Sequence, residues 1–245
     1  MRTSISLRTL LGAGCLAGLL LASLAAGASA ADQSKKDQEP PVIDPGPAGG
    51  PPSDAVVLFD GKDMSKFRGE RSPEPKWKLE NGVMETTPHG GLLSKEEFAD
   101  CQVHVEWASP SVVKGEGQGR GNSGVYLMGR YEIQILDSYK NPTYYNGQCG
   151  AFYGHNAPLV NACRKPGEWQ TYDIIFHAPK QLPGGKVEPG SFTVLQNGVL
   201  IQDHIPVGGA PTTAAPLGGM AAKGPLYLQD HGNPVRFRSV WVRPL

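Results

Sequence analysis

The chain has 245 residues, 39% hydrophobic and 19% charged, and its 23 basic residues balance 23 acidic ones. With no basic field to neutralise phosphates and no long charge run, this composition speaks against nucleic acid or another polyanion as a partner. None of its four cysteines forms a CxxC pair, which disfavours a cysteine-held metal.

The N-terminus reads as a secretory signal peptide, residues 1–30. Arg2 and Arg8 precede an uncharged run from Thr9 to Ala26, and Ala28-Ser29-Ala30 supplies the small side chains of a cleavage site. Kept uncut, the run would be a membrane span, but it is rich in Gly and Ala and interrupted by Ser23. A lipobox at Cys15 lacks its leucine, Gly12 standing in that place. The mature protein is therefore expected to be exported to the periplasm or beyond, with no membrane span after cleavage. Its formal charge is −2, because the leader removes two basic residues and no acidic ones.

Residues 31–53 are charged at first and then dense in Pro and Gly, the composition of a disordered spacer. From Asp54 to Leu245 the chain is long enough for one core and contains no second linker, so residues 54–245 read as one domain.

Within that domain apolar residues alternate with period two between Gly, Pro and Asn turns, and helical runs are missing. The expected strands are 56–59, 77–79, 83–85, 92–93, 101–108, 124–128, 131–136, 170–177, 192–196, 199–203, 226–229 and 235–243. Asn81-Gly82 and Asn197-Gly198 supply hairpin turns, since both central residues of a type I′ turn need positive φ. The pattern predicts an all-β, two-sheet antiparallel jelly-roll sandwich.

Several segments carry chemistry. In strand 101–108, Gln102, His104 and Glu106 share one face, which reads first as a solvated outer surface. In 131–136, Tyr131, Ile133 and Ile135 point one way and Glu132 and Gln134 the other, with Asp137 rejoining them only if one residue is skipped after Ile135. An acid, an amide and a second acid on one track suit proton transfer at sugar carbons or glycosidic oxygens; a stripe used only for solubility is the plainer alternative. Loop 144–161 adds Tyr144, Tyr145, Phe152, Tyr153, His155 and Asn156, suited to stacking on a pyranose or to packing the loop itself. Removing Cys15 with the leader leaves three cysteines, of which Cys149 and Cys163 flank this loop. They are expected to form a disulfide, with a reduced buried pair as the alternative. Trp169 is divided between sugar platform and core. Asp230 and His231 occupy a turn before the last strand, on which Arg236 and Arg238 share a face and could bind sugar oxygens or form ion pairs.

The stretches GNSGVYLMGRYEIQILDSY, GQCGAFYG, KPGEWQTYDIIFHAP, FTVLQNGVL and LQDHGNPVRFRSVWVRPL resemble the 3-keto-disaccharide hydrolase family, and the resemblance runs from Leu58 to Leu245. It implies an exported bacterial protein of concanavalin-like jelly-roll fold. It extends weakly to retaining laminarinase-type glucanases, whose E-x-D-x-x-E pattern meets Glu132, Gln134 and Asp137 here. Gln for the central Asp and Asp for the terminal Glu depart from that retaining pattern.

The family's implied chemistry starts from a sugar that a partner 3-dehydrogenase has oxidised at C3. A base then takes the acidified C2 proton, the aglycone leaves by β-elimination and water adds back. Glu132 is the candidate base, and Asp137 or His231 the acid. Substrate contacts are expected from Asn122, Tyr126, Arg130, Gln134, His155, Asn156, Trp169, Arg236 and Arg238. No cofactor is certain; a divalent cation is possible, with His104, Glu106, Glu132, His155 and His231 as donors. The rival readings are a lectin-like carbohydrate-binding module and a retaining laminarinase-type hydrolase.

Overall fold

The structure is a computed structural model and describes residues 39–245. The leader and the first part of the spacer lie outside the described residues. The unit considered from here on runs from Asp44 to Leu245. Its first residues, 44–53, close a loop in which the Ser53 N–H donates to the Asp44 carbonyl at 2.9 Å.

Fifteen strands follow among the described residues: β1 (Val56–Phe59), β2 (Phe67–Gly69), β3 (Lys78–Glu80), β4 (Val83–Glu85), β5 (Leu92–Phe98), β6 (Cys101–Ala108), β7 (Ser123–Leu127), β8 (Tyr131–Ile135), β9 (Gln170–His177), β10 (Lys180–Gln181), β11 (Val187–Glu188), β12 (Gly190–Gln196), β13 (Val199–Val207), β14 (Gly224–Leu228) and β15 (Arg236–Pro244). The larger sheet has the order β13-β12-β9-β6-β15-β4-β3, with β1 also paired to β15. The smaller has the order β2-β5-β14-β7-β8, and β10 and β11 form a separate ribbon. Every pairing is antiparallel, as the turn-rich, alternating sequence predicts. Both Asn-Gly turns have positive φ at each residue: 52° and 75° at Asn81-Gly82, 53° and 78° at Asn197-Gly198.

The core lies between the two sheets. Val103, Val105 and Trp107 of β6, with Tyr172, Ile174 and Phe176 of β9, share one buried cluster with Val125 and Leu127 of β7 and Tyr131, Ile133 and Ile135 of β8. Each such side chain contributes about 2 kcal/mol by leaving water, and the alternation that buries it sends its neighbours to the opposite face. On β8 this commits Glu132 and Gln134 to the outer face of the smaller sheet. Ile135 and Leu136 both join the core, so the alternation skips a residue there, as Asp137's return to the polar side requires.

Candidate active site

Three adjacent strands of the smaller sheet place an in-register row on its outer face: Tyr227 of β14 opposite Tyr126 of β7, and Tyr126 opposite Glu132 of β8. The two tyrosine rings meet edge to face, 5.2 Å between centroids. One step along, Gly124 lies opposite Gln134, and the Gln229 N–H donates to the Gly124 carbonyl at 3.0 Å. Gly124 forms the floor. A Cβ there would stand 2.6 Å from Glu132 Oε1 and 2.7 Å from the Tyr126 ring, so only the smallest residue lets the carboxyl lie over this strand. Gly124→Ala is expected to displace Glu132, with activity falling at least about tenfold and stability by roughly 1–3 kcal/mol. Steady-state kinetics and a denaturant melt would read both, and an unchanged rate would contradict the placement.

Glu132 is buried, 3% exposed. Burial pushes its carboxyl up to about 8, while a hydrogen bond from the Tyr126 phenol acts in the opposite sense. Tyr126 is itself raised, first by burial and then by the Glu132 charge. Its hydroxyl also accepts from Gln229 Nε2 at 2.8 Å. Tyr144 and Tyr153, joined hydroxyl to hydroxyl at 2.5 Å, complete the polar surroundings. Burial, the Tyr153 phenol and the Glu132 charge push Tyr144 up to about 12. The backbone of β8 is fixed from both sides. The Glu132 N–H donates to Thr212 Oγ1 at 3.2 Å, and the Tyr153 N–H donates to the Glu132 carbonyl at 3.2 Å.

A second polar chain runs behind this group. Gln134 Nε2 donates to Gln118 Oε1 at 2.9 Å, and Gln118 Nε2 donates to the Gly147 carbonyl at 2.8 Å. Asn122 Nδ2 holds the Gln118 carbonyl at 2.8 Å, so Asn122 acts by fixing Gln118.

The other residues singled out in the sequence go elsewhere. Asp137 is buried, but its Oδ2 accepts from Arg120 Nε at 2.7 Å and its Oδ1 from the Tyr139 N–H at 3.2 Å. It lines a cavity of about 430 Å³ with Arg120, Lys114, Val112 and Arg236, a cavity whose lining does not include Glu132. His231 is exposed, with no side-chain hydrogen bond among the described residues. Neither candidate acid joins the Glu132 row. The neighbour of His231, Asp230, closes its own turn by accepting from the Gly232 N–H at 2.8 Å.

Trp169, Arg236 and Arg238 belong to the larger sheet's surroundings. Arg238 lies 4.3 Å from the centre of the Trp169 ring and pairs with Glu106, and Arg236, which lines the Asp137 cavity, donates to the Gly167 carbonyl at 3.3 Å; among the described residues neither forms an ion pair with Glu132 or Asp137. Arg130 donates to the carbonyls of Met128, Gly218 and Gly219, which ties loop 208–223 to the β7–β8 turn and uses up the fork expected to bind substrate. His155 and Asn156 are exposed, His155 stacked on Phe152 at 4.5 Å. Of the five candidate metal donors, His104 and Glu106 lie 3.7 Å apart on the larger sheet, while Glu132 is on the smaller one. His104 sits under Trp241 and bonds Asp173, and among the described residues no three His, Cys, Asp or Glu side chains converge as ligands.

Gln118, Gln229, Tyr227, Thr212 and Gly124 were not singled out in the sequence. Gln229 and Tyr227 could have been found by continuing the period-two alternation through LYLQ; Gln118 sits in a single 3-10 turn, Gly117–Gly119, and Thr212 in a loop, where the strand period does not apply.

A family model described as the 3-keto-alpha-glucoside-1,2-lyase-like domain matches residues 54–243. The chain belongs to that family. A relative named 3-keto-disaccharide hydrolase, from Bacteroides thetaiotaomicron, is 26% identical over 238 residues, covering 78% of each chain. A crystal structure from Parabacteroides distasonis, provisionally named a glycosyl hydrolase, superposes with TM-score 0.80 at 43% identity, over 85% of this chain and 93% of the other. A second from the same organism shares the fold at 20% identity, TM-score 0.58, over 78% and 94%.

In this member of the 3-keto-alpha-glucoside-1,2-lyase-like family the two loop cysteines are both free where a disulfide was expected, Cys149 Sγ accepting from Gln196 Nε2 and Cys163 Sγ from Gln170 Nε2, each at 3.3 Å. Cys149, fully buried and 3.0 Å from the Tyr172 hydroxyl, is raised well above an ordinary thiol by burial, and its hydrogen bond lowers Cys163.

Proposed function

We propose that the chain cleaves the glycosidic bond of 3-keto-glycosides, 3-keto-disaccharides among them, by C2 deprotonation, β-elimination and hydration. The observation that carries the reading is the Glu132 carboxyl, buried over Gly124 beside the Tyr126 phenol and raised to about 8. A carbon acid flanked by a ketone needs a stronger base than an ordinary carboxylate, and a base whose pKa lies near the working pH keeps a useful ionised fraction. The family and the hydrolase name of the Bacteroides relative support the substrate class.

In the first step the C2–H bond breaks and its proton passes to Glu132. Charge builds on the C3 oxygen as Glu132 loses its own, and the Tyr126 hydrogen, held by the carboxylate before the transfer, is then released to donate to that oxygen. The C1–O bond then breaks as C1=C2 forms, and the leaving oxygen takes a proton from solvent. The Glu132 proton exchanges with solvent; water then adds its hydroxyl to C1 and gives its other proton to solvent while Glu132 protonates C2, so the net change is hydrolysis. Asp137 is held by Arg120, which supports this route over a retaining displacement with Asp137 as the second carboxyl.

A sugar 3-dehydrogenase would supply the ketone, and the N-terminal leader would deliver the enzyme to the periplasm or outside the cell. Turnover of a 3-keto-disaccharide in deuterium oxide tests the chemistry. Deuterium at C2 of the product supports elimination and hydration. An unlabelled product points to direct displacement, and no product at all to a carbohydrate-binding module.

A further inference from the structure

The row on the outer face of the smaller sheet does not end at Glu132. Residues 150–153 run antiparallel beside β8: Phe152 pairs with Ile133, the Gln134 N–H donates to the Ala151 carbonyl at 3.0 Å, and the Tyr153 N–H to the Glu132 carbonyl at 3.2 Å. Ile133 and Phe152 both point into the core, and opposed residues of an antiparallel pair share a face. Tyr153 therefore falls beside Glu132 on the outer face. Its hydroxyl meets that of Tyr144 at 2.5 Å, and neither hydroxyl has another partner among the described residues. Gly147 makes room for this, because a Cβ there would run into the Tyr144 ring. Unlike the buried carboxyl, the pair is open to a ligand: Tyr144 is 48% exposed and Tyr153 is half-buried.

Two hydroxyls carry two hydrogens, and the bond between them uses one. Whichever of them donates, the other hydrogen is left for an external acceptor. Its loss leaves a phenolate that the remaining hydroxyl holds by a charge-assisted bond. We propose that the Tyr144–Tyr153 hydroxyl pair is the acid that hands the leaving oxygen its proton, drawing that proton from solvent. This rests on Glu132 being the base. The C2–H and C1–O bonds belong to neighbouring carbons, so base and acid must stand close, and side chains opposed on adjacent strands start about 5 Å apart. As the C1–O bond breaks, its electron pair goes to the leaving oxygen, which takes the spare hydrogen of the pair as a proton. The phenolate left behind regains a proton from water at the exposed side of Tyr144. Burial, the Tyr153 phenol and the Glu132 charge push Tyr144 up to about 12, so the pair keeps its hydrogen at neutral pH and yields it to a strong base such as a departing alkoxide.

The test compares two substrates in deuterium oxide: methyl 3-keto-α-glucoside, whose alkoxide needs a proton to leave, and 4-nitrophenyl 3-keto-α-glucoside, whose phenolate leaves without one. Tyr144→Phe and Tyr153→Phe are each expected to lower kcat/KM by roughly a hundredfold or more on the methyl glycoside and by less than about threefold on the nitrophenyl one. Methyl glycoside recovered from the variants should carry deuterium at C2, since Glu132 still takes and exchanges that proton while departure is held back. Equal losses on both glycosides would leave the pair a purely structural part, and no loss on the methyl glycoside would remove it from the proton path. Either result overturns the proposal and leaves the C2 chemistry standing. Should Tyr153→Phe fail to fold, Tyr144→Phe decides alone, its ring lying half in solvent. Wild type that cleaves neither glycoside overturns the proposed reaction and the tyrosine acid with it.

Discussion

Glu132→Gln is expected to reduce turnover of a 3-keto-glycoside by roughly a hundred- to ten-thousandfold while making the folded protein more stable at neutral pH. The rate falls because glutamine cannot accept the C2 proton, yet it matches the carboxyl in shape over Gly124. Stability rises because burial raises the carboxyl from 4.5 to about 8. A carboxyl raised in the folded state binds more protons there than in the unfolded chain between those two values. Its contribution is therefore intact below about pH 4.5 and is lost as pH climbs toward 8. At pH 7 the loss is on the order of 3 kcal/mol, which glutamine, neutral throughout, does not incur. Denaturant melts at several pH values should show the two proteins converging in acid and separating toward pH 8. A gap that does not vary with pH would mean that the carboxyl is not buried as described.

The same shift sets the shape of the wild-type rate profile. As a base, Glu132 works in its ionised form, so kcat/KM should climb with pH and level off above about 8. A limb that falls through the same value would assign Glu132 the acid's part, and the base would have to be sought elsewhere on the row. The variant should lack that limb whichever direction it takes.

The fold was legible because its signals are local. Alternation of Val, Ile and aromatic residues, with two Asn-Gly turns, specifies antiparallel pairing without reference to distant residues, and β6, β8 and β9 fall where the pattern places them. It also showed that Glu132 and Gln134 face away from Ile133 and Ile135. The site was less legible because it depends on which strands become neighbours. Residue 227 is far from residue 132 in sequence, and only the order β14-β7-β8 puts Tyr227, Tyr126 and Glu132 in one row. Topology misplaced the arginines in the same way. Arg236 and Arg238 alternate correctly on their strand, but β15 lies in the other sheet, where Trp169 and Glu106 occupy Arg238. Gly124 passed as the first residue of an expected strand, since the need for an empty position arises only from a carboxyl on the neighbouring strand. His231 was chosen for its chemistry alone, and an imidazole in a turn has no period to say where it points.

Asp137 is the sharpest divergence between sequence and structure, and its own prediction follows from its partner. The carboxylate is 2% exposed and its charge is met by Arg120, whose side chain is 15% exposed. Removing the arginine leaves a buried, uncompensated anion, so Arg120→Met should destabilise the domain by about 3 kcal/mol or more, on the order of a 10 °C fall in Tm. Removing the charge with it should restore much of that loss, because a buried pair gains little over a neutral pair of similar shape once the cost of stripping water from both ions is counted. Asp137→Asn in the Arg120→Met background is therefore expected to recover at least half the stability, and to turn over a 3-keto-glycoside within about tenfold of wild type, since the carboxyl proposed to move the proton, that of Glu132, sits on β8 over Gly124. Recovered stability with activity still lost at the level of Glu132→Gln would return Asp137 to the chemistry, as a second carboxyl that Arg120 holds in place between turnovers.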